Sequence, residues 1–300
     1  MALRRLAART LVRTLVRRDL APARPLGRRR LALARAARLL PLPRGVTVHA
    51  AGAEYPGSDW LLPPGAGPEA MAAGPALLYL HGGGFILGSP RSHRAVAATL
   101  AREAGRPVLL LDYPLAPEHP FPAAPDHVLG AWERLTAGGT RPAAVAGDSA
   151  GGWLALWLAR EVIATGLPRA SALALFSPLL DLGRAARAGQ GDLMLPAGFM
   201  PEGIAAFCGR LPSGDPRFNL LAHSMAGLPP SFLACDADEM LADDARRLAA
   251  ALAAAGVRHR VETAQGLWHA WPLLAGWLPE ATATLRHAAA ILAPRHGPGG

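Results

Sequence analysis

A serine set among glycines, Gly147-Asp148-Ser149-Ala150-Gly151-Gly152, joins the apolar run ending Val145-Ala146 to a helical run opening Trp153-Leu154-Ala155. A serine on so tight a strand-to-helix turn is held up as a nucleophile, and the glycines let the backbone strain while strand and helix approach closely. The bland alternative is a serine cap on an ordinary helix. A serine hydroxyl is a poor nucleophile at neutral pH. It needs a base, a group to orient that base, and donors for the charge that develops on a substrate oxygen.

Each of these can be sought in the chain. His81-Gly82-Gly83-Gly84-Phe85 follows an apolar strand, and consecutive glycines can turn bare amides toward a ligand. The amides of Gly83 and Gly84, with that of Ala150 after the serine, are the candidate oxyanion donors. Losing one such donor typically costs about 3 kcal/mol of barrier. The base is expected on a loop after the last strand, where His269 stands in Gly266-Leu267-Trp268-His269-Ala270-Trp271. Among its competitors, His259 lies in a strand pattern, His287 in a terminal helix, His223 in a presumed lid and His296 in a proline- and glycine-rich tail. Three acids, Asp236, Asp238 and Glu239, follow the seventh strand, and by residue type any of them can orient an imidazole. Asp243 and Asp244 read instead as first-turn charges of a helix.

These residues need a scaffold. Short apolar runs alternate with longer helical patterns after Pro41-Leu42-Pro43, which predicts a mostly parallel sheet covered on both faces. The expected strands are 46–50, 59–62, 76–80, 108–112, 143–146, 172–176, 231–235 and 258–263. Helices are expected over 92–104, 125–135, 150–165, 240–255 and 279–292. Residues 46–293 then form one α/β domain. An insertion at about 181–230, with a short helix over 201–210, supplies part of a lid, and 294–300 is a flexible tail.

Composition narrows the function. The formal charge is +9, but residues 1–45 carry 13 arginines and one acid, leaving 18 arginines against 21 acids in the rest. There is no lysine, so the excess reflects a biased composition in a basic arm, and a nucleic-acid partner is not expected. The arm mixes Leu3, Leu6, Leu11, Leu15 and Val16 with arginines, an amphipathic pattern that suits a lid helix or flexible arm, a membrane-surface helix with weak membrane contact, or a cleaved targeting segment. A second basic helix is expected near 31–40. Cys208 and Cys235 show no metal-like spacing, so neither a disulfide framework nor a metal is expected. With no apolar run long enough to span a bilayer, a cytoplasmic location is the expectation.

The chain resembles the bacterial branch of the hormone-sensitive lipase family, the esterases with an arylacetamide deacetylase-like α/β-hydrolase fold, from about residue 45 to residue 292. Carrying the resemblance are Leu78-Tyr79-Leu80-His81-Gly82-Gly83-Gly84-Phe85 with Leu87-Gly88-Ser89-Pro90, the stretch Leu115-Ala116-Pro117-Glu118-His119-Pro120-Phe121-Pro122-Ala123-Ala124, and the glycine–serine motif. It implies an eight-stranded α/β-hydrolase fold whose helical lid comes from the N-terminus and the insertion. By position it assigns Ser149 as nucleophile, His269 as base, and Gly83, Gly84 and Ala150 as oxyanion donors. Aligned on Gly256 and His269, Glu239 takes the acid's place, although many members have an aspartate followed by proline there. Pro114 and Asn219 depart from an arginine and a serine usual in the family.

The implied activity is cofactor-independent cleavage of short- to medium-chain acyl esters, with Phe85, Trp271 and the arm as pocket walls. Rival readings are an amidase or arylformamidase, a non-catalytic small-molecule receptor on the same fold, and a lipid-surface protein centred on the arm.

Overall fold

The computed structural model describes residues 2–73, 75–137, 143–187 and 191–294. His296 and nearly all of the expected tail at 294–300 lie outside them. Eight strands form one sheet: β1 (Thr47–Ala50), β2 (Asp59–Leu62), β3 (Leu77–Leu80), β4 (Val108–Leu111), β5 (Ala144–Asp148), β6 (Leu173–Phe176), β7 (Ser231–Asp236) and β8 (His259–Ala264). Their spatial order is β1-β2-β4-β3-β5-β6-β7-β8, with β2 antiparallel to both neighbours and every other pair parallel.

The central strands are apolar throughout because both faces are covered. Successive residues divide between the two sides: Leu78, Leu80, Leu109, Leu111 and Val145 join one core, whereas Leu77, Tyr79, Val108, Leu110 and Ala144 join the other. That is the period of two of a strand. At the edge, β8 buries its residues only partly, as a strand with one open side should.

The helices are α1 (Ala2–Leu11), α2 (Arg17–Leu20), α3 (Leu26–Ala37), α4 (Ala70–Ala73), α5 (Pro90–Ala104), α6 (Ala123–Thr136), α7 (Ser149–Ala164), α8 (Leu182–Ala186), α9 (Phe199–Cys208), α10 (Ala242–Ala254) and α11 (Pro279–Leu292). A π-helical turn, Val12–Val16, joins α1 to α2. Local chemistry sets several ends. In α5 the Ser89 amide donates to Ser92 Oγ at 2.9 Å and Pro90 opens the first turn, while Gly105 closes the helix at φ +61°.

One difference from the sequence reading bears on function. The second basic helix runs over 26–37 rather than 31–40, and it docks by charge: Arg29, fully buried, pairs through both terminal nitrogens with Glu202 of α9. Arg30 reaches the opposite way, to Glu118 at 2.7 Å and to the carbonyls of Ile86 and Ala116. From α1, Arg5 and Arg9 donate to the carbonyl of Gly266. The basic arm is thus packed helix over the sheet's carboxyl edge. Among the described residues, no helix is long and apolar enough to cross a membrane.

Candidate active site

The chemistry-bearing residues of the sequence lie at the carboxyl ends of four parallel strands, where open α/β sheets place ligands. His81 to Gly84 follow β3, Ser149 follows β5, Asp236 and Glu239 end or follow β7, and His269 follows β8.

Ser149 has φ +52°, a left-handed conformation that costs a non-glycine residue energy. Its neighbours show why the strain persists. A Cβ on Gly151 would lie 2.0 Å from the Leu80 carbonyl oxygen and 2.5 Å from that of His81, and one on Gly147 would lie 2.3 Å from the Gly151 oxygen. Helix α7 therefore approaches β3 more closely than any side chain allows. We expect Gly151→Ala to cost about 3 kcal/mol or more in urea unfolding, since backbone atoms would have to move. Gly27→Ala, with open space around the added methyl, should leave stability unchanged or slightly raised.

Asp148 ties the serine turn to the glycine loop. Its Oδ1 accepts from the Tyr79 hydroxyl at 2.8 Å and from the Gly82 amide at 3.1 Å, and lies 3.4 Å from His93 Nε2. Burial raises the Asp148 carboxyl, but His93, Tyr79 and His81 outweigh it and hold the group below its ordinary value. His81 is the reverse case. Sealed in the core and stacked 4.2 Å from the Tyr113 ring, it is pushed down to about 3 by burial and stays neutral. Its role is structural: Nδ1 lies 2.9 Å from the Gly82 carbonyl. The loop itself takes positive φ at Gly83 (+121°), Gly84 (+62°) and Phe85 (+64°).

Ser149 and His269 line one small cleft of about 30 Å³, together with Gly82, Gly83, His93 and Asp148. Gly84 and Ala150 are not among the cleft's lining residues. They stand next in the chain to Gly83 and Ser149, with Ala150 buried at the start of α7. Behind His269, Nδ1 is 3.2 Å from Glu239 Oε2, and both side chains are buried.

The other acids are turned elsewhere. Asp236 Oδ2 accepts from the Leu267 amide at 2.8 Å and Oδ1 from that of Asp238, fixing the backbone of the histidine loop. Asp238 is exposed. Asp243 pairs with Arg184, and Asp244 accepts from the amides of Leu180 and Asp181. The competing histidines are spoken for as well: His259 lies on the Val257 carbonyl, His287 on Glu262, and His223 is exposed.

The pair has distinctive electrostatics. Burial raises the Glu239 carboxyl above its ordinary value, against the pull of His269 and of the Ser177 hydroxyl. Burial alone would lower His269, but the Glu239 charge, with Asp192 and Asp148 beyond it, lifts it above 6.5.

Sequence reading missed the supports of this pair. Ser177, at φ +48° after β6, accepts from the Ala270 amide at 2.9 Å and so fixes the loop that carries His269. Asp192 accepts from the amides of Met194, Leu195 and Met240, joining the 192–195 loop to the Glu239 turn. Neither residue sits in a local motif. Asp148 and His93 were the more accessible signals, one adjacent to Ser149 and the other a histidine in the first turn of α5.

Two expected pocket walls belong to the core instead. Phe85 stacks on Phe207 at 3.8 Å and meets Trp153 edge-on, because its positive φ turns the ring beneath the loop. Trp271 is fully buried and donates to Thr284. The arm, by contrast, does form wall: Leu20 and Leu33, with Phe199, Met194, Leu195 and Leu273, line the cleft over Ser149. Helix α9 also rests on the glycine loop, since a Cβ on Gly203 would lie 2.4 Å from the Gly84 carbonyl oxygen.

Of the two departures from the family pattern, Asn219 forms a β-bridge with Asp181 and accepts from the Leu221 amide. Pro114 is half-buried, and the arginine that bonds the adjoining loop is Arg30, from α3.

A family model for the alpha/beta hydrolase fold matches residues 77–273. An esterase of Acinetobacter venetianus is 34% identical over 225 residues, 72% of this chain and 74% of that protein. An acetyl-hydrolase of Streptomyces hygroscopicus is 35% identical over 255 residues, 81% of each chain. The crystal structure of an esterase from the bacterial hormone-sensitive lipase family superposes with a TM-score of 0.84 at 30% identity, covering 95% of this chain and 96% of that one. With eight strands in mostly parallel order and a strained serine at the β5–α7 turn, the chain belongs to the α/β-hydrolase fold family, in the esterase superfamily that contains the hormone-sensitive lipases.

Proposed function

We propose that this protein is a serine carboxylic ester hydrolase of the arylacetamide deacetylase-like type, acting on short- to medium-chain acyl esters through an acyl-serine intermediate. The observation that carries the reading is the strained Ser149 sharing a cleft with His269, whose far nitrogen is 3.2 Å from a buried carboxylate.

In this reading His269 Nε2 takes the Ser149 proton as Oγ attacks the ester carbonyl, and the amides of Gly83, Gly84 and Ala150 bind the oxyanion. The tetrahedral intermediate collapses as the imidazolium protonates the leaving alcohol. Water then attacks the acyl-serine with His269 again as base, and the proton returns to Ser149 as the acid is released. Glu239 stays ionised, holding the imidazole in one tautomer and balancing its charge. Apart from that water, the chemistry in this reading uses only side chains and backbone of this chain.

The short-acyl preference rests on the narrow cleft at Ser149 and on the acetyl-hydrolase name of one relative. The medium-chain range rests on an adjoining cavity of about 450 Å³, walled mainly by aliphatic side chains and sharing Leu33, Met194, Ala270 and Leu273 with the cleft.

The test is a fluorophosphonate probe with p-nitrophenyl esters of graded acyl length and a matched anilide. The expected outcome is labelling at Ser149, ester turnover far above anilide turnover, and a maximum among short to medium chains. Absence of labelling on a folded protein overturns the reading in favour of a non-catalytic receptor. Preference for the anilide would make it an amidase.

A further inference from the structure

The face of the molecule around the mouth of the large cavity is unlike the rest of its surface. Among the described residues, eight large hydrophobic side chains are exposed, and six of them lie within residues 6–42. Leu11 and Leu15, one helical turn apart, line the cavity while remaining 38% and 45% exposed. Leu39, just beyond α3, also lines it and is 85% exposed. Such leucines gain nothing from water, and their clustering at a cavity mouth is not the scatter expected of an ordinary surface.

The charge on the same segment is one-sided. Arg4, Arg13, Arg28, Arg35, Arg38 and Arg44 are exposed, and among the described residues no ion pair is made by any of them. The single acid, Asp19, is already engaged by Arg18 and Arg24. On α3 and its C-terminal cap, Arg28, Leu31, Arg35 and Arg38 recur at helical spacing and are all exposed, so leucine and arginine share one outward stripe.

We propose that this face docks on an anionic lipid surface, with the leucines at the acyl boundary, the arginines among the headgroups and the cavity mouth opening onto the lipid. Apolar side chains flanked by unpaired arginines on surface helices are what such an interface binds, through buried apolar area and attraction to anionic headgroups. A second copy of the chain is a poorer occupant: a two-fold contact through this patch would set its arginines against themselves. Docking does not depend on the esterase reading. Only its use, delivery of lipid-dissolved esters to Ser149 through the cavity, rests on that reading.

The experiment is co-sedimentation of the full chain, and of its Ser149→Ala variant, with phosphatidylcholine vesicles with and without phosphatidylglycerol. Both proteins are expected to bind the anionic vesicles, to bind neutral ones weakly, and to be released by salt. Arg35→Ala with Arg38→Ala should weaken the partition roughly fivefold for each arginine removed. That variant should keep its circular dichroism and its turnover of soluble p-nitrophenyl acetate, since neither residue lines the cavity or cleft. Leu39→Ser should also reduce vesicle binding, separating the apolar contribution from the ionic one. No binding, equal binding to neutral and anionic vesicles, or indifference to the arginine pair would overturn the proposal. Dimerisation in sedimentation velocity that the arginine variant alters would overturn it in favour of a second copy. Failure of ester turnover with vesicle binding intact would count against the catalytic reading alone.

Discussion

Replacing Ser149 with alanine is expected to lower kcat on p-nitrophenyl acetate by about a millionfold while leaving the fold intact. The size follows from how such groups act: without the nucleophile the base has no proton to take, so removing one member costs nearly as much as removing the set. What survives comes from binding and from oxyanion donors, whose geometry the substitution does not touch. Structural damage should be small, because the hydroxyl is only one atom and Ser149 is held by its backbone: its carbonyl accepts from the Leu179 amide at 3.1 Å, and the flanking glycines set the turn. Steady-state kinetics with an unchanged urea midpoint would check this. A folded Ser149→Ala protein with near wild-type turnover would falsify the mechanism.

Glu239→Gln should have the second largest effect, about a ten-thousandfold loss of kcat, through the imidazole rather than the substrate. The amide can present its NH₂ to Nδ1, favouring the wrong tautomer, and it carries no charge to balance an imidazolium in a buried site. The pH profile separates this from mere loss of packing. A general base must be neutral, so kcat/KM falls as the pH drops through the pKa of the free enzyme. Because Glu239 lifts His269 above 6.5 against burial, the wild-type acid limb should lie above 6.5. Removing the carboxylate leaves burial as the larger influence, so in Glu239→Gln the residual activity should have its acid limb at lower pH. Asp236→Asn is the control. Its side chain accepts backbone amides of the histidine loop, so stability and turnover should fall modestly and the limb should stay nearly in place. Normal turnover in Glu239→Gln with a collapse in Asp236→Asn would reverse the assignment.

Much of the scaffold was legible from local pattern. Leu77 to Leu80 and Val108 to Leu111 are continuous apolar runs between turn residues, and both are central strands buried on each face. The Ser89-Pro90 start and the Gly105 stop of α5 are local chemistry, visible in the residues themselves. Element ends moved by a few residues. The β5 strand runs on to Asp148 because that carboxylate is buried and accepts from the Tyr79 hydroxyl and the Gly82 amide, although an aspartate reads as a turn residue.

The N-terminal segment was the least legible. Its arginines outnumber its acids so heavily that a flexible arm suits the composition as well as a lid does, yet Arg29 is buried against Glu202, 173 residues away. Phe85 and Trp271 show the same limit from the other side. An aromatic beside a motif serves equally well as pocket wall or as core, and only backbone direction sends these two inward.

For the candidate site, the sequence by itself determined the residue types and their order: a serine on a glycine turn, a glycine loop before it, acids and then a histidine after it. Those are local requirements of strain, close approach and chain direction, written within a few residues of each group. Which acid faces His269 was decided only in three dimensions. Asp236 and Glu239 are three residues apart, and the turn after β7 sends the first to the Leu267 amide and the second to the imidazole. The tertiary structure also walled the cleft at Ser149 with Leu20, Leu33, Met194, Leu195 and Phe199, since helices that share no local signal meet only because each must bury its apolar face against another.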